Sequence, residues 1–127
     1  GIPTWGEEQV YELFPDLSEI RNRAGGVLSG GQQQMLTVAR SLMGNPKLLI
    51  LDEPSEGLAP KVVETLRDKI ALLKNAGMSI ILAEQNLQFV LSLSDYCHIM
   101  EKGTIKFSGT PNDLRKNSQV QEKYLTL

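Results

Sequence analysis

The sequence predicts an α/β fold with parallel strands and flanking helices, closed by a β-hairpin and further helices. Three observations carry this. Leu48-Leu49-Ile50-Leu51 is a continuous apolar run, the pattern of a strand buried on both faces of a parallel sheet. Ser79 to Ala83 is a second buried apolar run. Between them Pro60 opens a long helical pattern, with Val62, Val63, Leu66, Ile70 and Leu73 on one face and Gly77 as its cap. Strand and helix then alternate, which is how parallel α/β sheets are built.

The other elements follow in chain order. Thr4-Trp5-Gly6-Glu7 has capping-box spacing, and Val10, Leu13 and Phe14 follow at helical intervals until Pro15 ends the helix. Asp16 to Arg23 reads as a second short helix, closed by Gly25-Gly26. Ser29 and Gln32 again have capping-box spacing, and Met35, Val38, Ala39 and Leu42 form the apolar stripe behind them. Gly44-Asn45-Pro46 stops that helix. Leu87, Val90 and Leu91 suggest a short helix. Tyr96 to Met100 and Thr104 to Phe107 flank a Glu-Lys-Gly turn and read as a hairpin. Thr110-Pro111-Asn112-Asp113 opens a terminal helix and Ser118 a second.

The 127 residues suit one domain of ordinary size. A net charge of −2 gives no bulk electrostatic case for nucleic acid as a partner. The single cysteine, Cys97, excludes an intrachain disulfide and reads as a small core residue. No apolar run approaches the roughly 20 residues of a membrane-spanning helix.

Two stretches carry chemistry. In Leu28-Ser29-Gly30-Gly31-Gln32 the glycines stand at a helix entrance. Such an entrance offers unpaired N–H groups and about half a positive charge, and glycine lets an oxyanion approach without a Cβ in the way. The plainer reading is a serine cap followed by flexible residues, and the two are evenly weighted on these residues alone. In Leu48 to Pro54 a buried strand ends in Asp52-Glu53 and so delivers two carboxylates to the carboxyl edge of a sheet, where α/β ligands sit. Asp52 could hold Mg²⁺ through water and Glu53 could polarise an attacking water, against the plainer reading of a solvated acidic turn.

Together the two stretches resemble the nucleotide-binding subunit of ABC transporters. Leu28 to Gln32 is similar to that family's signature motif in every residue, and Leu48 to Pro54 to its Walker B strand with the glutamate that follows. Asp52 to Pro60, "DEPSEGLAP", and Ala83 to Asn86, "AEQN", look like the ATPases of branched-chain amino acid importers and their urea or amide relatives. Gln85 stands where most members carry a histidine that senses the γ-phosphate, and Ala59 where many carry an aspartate; as far as Gln85 is concerned, the amino acid importers share the departure.

The resemblance implies a partial P-loop NTPase core. Residues 1–46 would end a helical subdomain and residues 47–127 would form part of the catalytic core. No G-x-x-x-x-G-K-[ST] occurs in the sequence, so by this comparison the chain is the C-terminal half of the domain. The implied ligands are ATP and Mg²⁺. Ser29, Gly30, Gly31 and Gln32 would complete the ATP site of a second nucleotide-binding subunit, Asp52 would position the metal, and Glu53 and Gln85 would be catalytic. The implied partners are that second subunit and transmembrane permease subunits, at the cytoplasmic face of the cell membrane. The chain alone is expected to be inactive and to self-associate, because the sheet would lack a central strand. A non-catalytic module that regulates such an ATPase, or an ABC-type ATPase of another process, are the alternatives; retained Glu53 argues against the first. His98 reads as a strand residue with a local partner, Trp5 and Met35 as packing, and Glu64, Arg67, Asp68 and Lys69 as a solvated helix face.

Overall fold

The computed structural model describes residues 4–125, which divide into two compact units between Glu84 and Gln85.

In the first unit Trp5 is tied to Asn45 from both sides. The Trp5 N–H donates to Asn45 Oδ1, and Asn45 Nδ2 donates to the Trp5 carbonyl at 3.1 Å. This anchor keeps Thr4 and Trp5 out of the first helix, so the expected Thr4–Glu7 box does not form. Helix α1 (Glu7–Leu13) is capped at Gly6, whose N–H donates to Gln9 Oε1 at 3.1 Å. Pro15, expected only to end α1, also begins α2 (Pro15–Glu19), where its fixed φ suits the first helical position. That second helix is shorter than expected, because turns take over from Ile20 and the two glycines themselves begin a 3₁₀ segment, Gly25–Val27. Helix α3 (Gly30–Met43) buries Val38, Ala39 and Leu42 as the stripe requires, and Met35 is half-buried. Asn45 takes a positive φ of 49°, the left-handed turn that closes many helices.

Strand β1 (Leu48–Asp52) pairs in parallel with β2 (Ser79–Ala83), with Leu49 opposite Ile80 and Leu51 opposite Leu82. The crossover helix α4 (Pro60–Asn75) buries Leu66, Ile70 and Leu73. Its end is closed as expected by Gly77 at φ 97°, with the Met78 N–H reaching the Leu73 carbonyl at 3.1 Å. The expectation that both strands are buried on two faces fails. Leu49 and Leu51 are buried, but Ile50 is 66% and Ile81 53% exposed. These two lie opposite each other on the second sheet face, which no described element of the first unit covers.

The second unit holds α5 (Leu87–Leu93), capped by Asn86 Oδ1 accepting from the Phe89 N–H, and then β3 (Cys97–Glu101) and β4 (Thr104–Gly109). The strands form an antiparallel hairpin whose turn is only Lys102-Gly103, both at positive φ, as two-residue hairpin turns require. Among the described residues β3 pairs with β4 alone and β2 with β1 alone, so the parallel ladder has two strands. Helix α6 (Pro111–Lys116) carries the expected Thr110–Asp113 capping box. Helix α7 (Ser118–Tyr124) is capped one residue earlier than Ser118, by Asn117 Oδ1. Leu91, Cys97, Ile99 and Leu114 form the core of this unit. His98 is exposed and hydrogen-bonded to Ser108 Oγ through Nδ1 at 2.8 Å, the local partner expected for it.

Candidate functional site

At the entrance of α3 the Ser29 Oγ accepts from the Gln32 N–H at 3.1 Å, and Gln32 Oε1 accepts from the Ser29 N–H at 3.0 Å. The reciprocal cap fixes the first turn and leaves the amides of Gly30 and Gly31, the first two of the helix, without a partner among the described residues. Two amides at the positive end of a 14-residue helix are the elements of an anion site. Gln33 was not singled out from the sequence, yet its Nε2 donates to the carbonyls of Gly25 and Leu28, each at 3.3 Å, and holds the 3₁₀ segment against the helix. Its place in the middle of a glutamine run gives no signal of this.

The two glycines serve different ends. A Cβ at Gly30 would meet only Leu58 Cδ2, at 3.8 Å, so the space beside it is open. A Cβ at Gly31 would stand 2.7 Å from Val62 Cγ1, in the first turn of α4, so this glycine also lets α3 and α4 approach. Because valine has one strongly preferred rotamer in a helix, it cannot turn aside cheaply. Gly31→Ala is expected to destabilise the fold by about 1 kcal/mol, an overpacking cost of about 1–3 kcal/mol less the helix-propensity gain of alanine. Adding Val62→Ala should make Gly31→Ala neutral or stabilising, as read by denaturant melts. A stabilising Gly31→Ala in the Val62 background would defeat this account.

The acidic pair ends β1. Asp52 is exposed. Glu53 leaves the strand in a left-handed conformation, φ 47°, with its N–H on the Ala83 carbonyl of β2 at 2.7 Å and its own carbonyl accepting from the Glu56 N–H at 3.2 Å. A non-glycine residue in this region costs energy and is held there only by its surroundings. A side-chain hydrogen bond with Glu56 and the charge of Glu56, rather than the backbone bond, are the main causes that push the Glu53 carboxyl above its ordinary value; burial, Asp52 and Glu84 add to it. That direction makes the carboxylate a better proton acceptor. Pro54 and Ser55 are buried behind it, and Ser55 donates to Glu84 through both N–H and hydroxyl. Neither Ser55 nor Glu84 was read as functional from the sequence.

Among the described residues no three His, Cys, Asp or Glu side chains gather as a metal cage. Mg²⁺ needs no such cage, since it is held by one or two carboxylates, waters and phosphate oxygens. Exposed Asp52, next to a Glu53 surrounded by negative charge, fits that partial role. Leu58 Cδ2 lies 3.8 Å from where a Cβ on Gly30 would stand, so the α3 entrance adjoins the loop that follows the acidic turn. Gln85 opens the second unit, exposed and in a bend.

A parallel pair joined by a crossover helix, with carboxylates at the strand end and a capped glycine entrance beside the following loop, defines part of an α/β nucleotide-binding core. The ABC transporter family profile matches residues 7–56. The high-affinity branched-chain amino acid transport ATP-binding protein BraG of Pseudomonas aeruginosa is 42% identical over 118 residues, 93% of this chain and 51% of that protein. The lipopolysaccharide export system ATP-binding protein LptB of Haemophilus influenzae is 33% identical, over 97% of this chain and 52% of that protein. An ATP-binding cassette of an ABC transporter, solved in its ADP conformation, superposes with a TM-score of 0.79 at 30% identity, covering 100% of this chain and 53% of that one. The chain belongs to the ABC transporter ATP-binding family. It spans about half the length of the curated relatives it matches.

Proposed function

We propose that this chain is the signature-bearing portion of an ATP-hydrolysing subunit of an ABC importer, with branched-chain or related amino acids as the solute. The observation that carries the ATPase reading is the turn that holds Glu53 at the end of β1. The solute class rests on the similarity to BraG. In this reading Glu53 orients and deprotonates the attacking water. Asp52 holds Mg²⁺ through water, and the ion, when bound, neutralises charge on the β- and γ-phosphates. Gln85 donates a hydrogen bond to the γ-phosphate, without the proton that a histidine could carry. The Gly30 and Gly31 amides and the Ser29 hydroxyl serve ATP held by a second subunit, while Gln32 fixes the turn that presents them. Closure of two subunits over ATP would drive permease subunits at the cytoplasmic face of the cell membrane. No helix among the described residues is long and apolar enough to cross a membrane, so in this reading the chain attaches peripherally.

The test is Gly30→Asp in the complete subunit. A Cβ at Gly30 meets only Leu58 Cδ2, at an ordinary 3.8 Å, so the substitution starts without a clash, and a thermal melt of the variant checks the fold. A carboxylate there would repel the γ-phosphate of the partner's ATP, and turnover should fall on the order of a hundredfold. Binding of ATP by the unpaired subunit should change little. Unaltered turnover would overturn the role of the α3 entrance.

A further inference from the structure

We propose that Glu84 is a positioning residue for Glu53, acting through Ser55; the inference rests on the ATPase reading above. Glu84 is half-buried at the end of β2, one residue ahead of Gln85. Its Oε1 accepts from the Ser55 N–H at 2.8 Å and from the Ser55 hydroxyl at 2.6 Å. Ser55 is 7% exposed, the one buried polar residue of the described core. Immediately before it in β2, the Ala83 carbonyl takes the Glu53 N–H at 2.7 Å. Residues 53–55 are therefore fastened to residues 83–84 at three points, two of them on a single carboxylate oxygen.

This fastening answers a specific need. Glu53 sits at φ 47°, a conformation that a glutamate keeps only where its surroundings hold it. Removing the Glu84 carboxylate would leave two buried Ser55 donors without that acceptor, and buried donors do not stay unpaired. The turn would shift to pair them elsewhere and carry Glu53 with it. Displacing a reacting group by about 1 Å costs on the order of a hundredfold in rate. An amide oxygen at the same place still offers two lone pairs, so glutamine can do this work and alanine cannot.

The experiment measures kcat, KM and nucleotide affinity of the complete subunit with Glu84→Ala, Glu84→Gln, Ser55→Ala and the Ser55→Ala/Glu84→Ala double variant, with Glu53→Gln alongside. Glu84→Ala should lower kcat by about 10- to 100-fold with KM and ATP affinity within about twofold. Glu84→Gln should recover most of kcat. Ser55→Ala should lower kcat by less than Glu84→Ala, and the double variant should be no worse than Glu84→Ala, because both act through one link. Glu84→Ala turnover within about twofold of the parent would overturn the proposal, as would Glu84→Gln as impaired as Glu84→Ala, since the charge itself would then be acting. If Glu84→Ala does not fold, Ser55→Ala decides: unchanged kcat there overturns the link. Full turnover by Glu53→Gln would instead sink the ATPase assignment of Glu53, a separate failure.

Discussion

Replacing Glu53 by Gln in the complete subunit is expected to cut steady-state ATP turnover by on the order of a thousandfold, within the range that positioned acid–base groups supply. ATP binding should survive within a few-fold. Glutamine keeps the shape of the side chain and therefore the left-handed turn, whose Glu53 N–H to Ala83 bond is a backbone bond. It loses the ability to take a proton from water. A group that aligns and deprotonates water acts in the transition state, so its loss lowers kcat without lifting ATP from its phosphate contacts. ATP-driven dimers should accumulate because closure no longer leads to hydrolysis. Single-turnover phosphate release and ATP-dependent gel filtration check both halves. Turnover within about threefold of the parent would remove Glu53 from its role.

The isolated 127-residue chain is expected to release no phosphate from Mg-ATP above background and to self-associate at micromolar concentration. Its sequence contains no G-x-x-x-x-G-K-[ST], the loop that cradles the β- and γ-phosphates. The association follows from the sheet. Among the described residues β2 pairs with β1 alone, and Ile50 and Ile81 stand exposed and adjacent on the same sheet face. An open strand edge beside exposed apolar side chains is a template for pairing with another chain. Ile81→Lys should shift the chain toward monomer, whereas Gly30→Asp at the α3 entrance should not. Light scattering over a concentration series reads the mass. A concentration-independent monomer, or ATP turnover that Glu53→Gln abolishes, would defeat the respective half.

The fold was legible where the signal is local. The α3 cap was readable from Ser29 and Gln32 because a capping box spans one turn, and α4 from its stripe and its flanking Pro60 and Gly77. The hairpin was readable from the runs Tyr96 to Met100 and Thr104 to Phe107 on either side of a Glu-Lys-Gly turn. Misreadings arose where a distant residue intervened. Thr4 failed to cap α1 because Asn45, far along the chain, holds Trp5. The run Leu48 to Leu51 was read as doubly buried because it is apolar throughout, but apolarity states a preference for cover, not that a layer is there to provide it.

The candidate site divides in the same way. The sequence by itself determined the residue types and their order: a capped glycine entrance, an apolar strand ending in Asp52-Glu53, and Gln85 after the second strand. These depend on spacings of a few residues, which helix and strand geometry translate directly into position. Only the tertiary structure decided that Gly31 gives way to Val62, that Glu53 is held at positive φ, and that Ser55 is fastened to Glu84, 29 residues away. The physical reason is that each of these depends on which backbone comes within a few ångströms of which side chain. Strand pairing and the close approach of helices set that distance, and no local spacing encodes it.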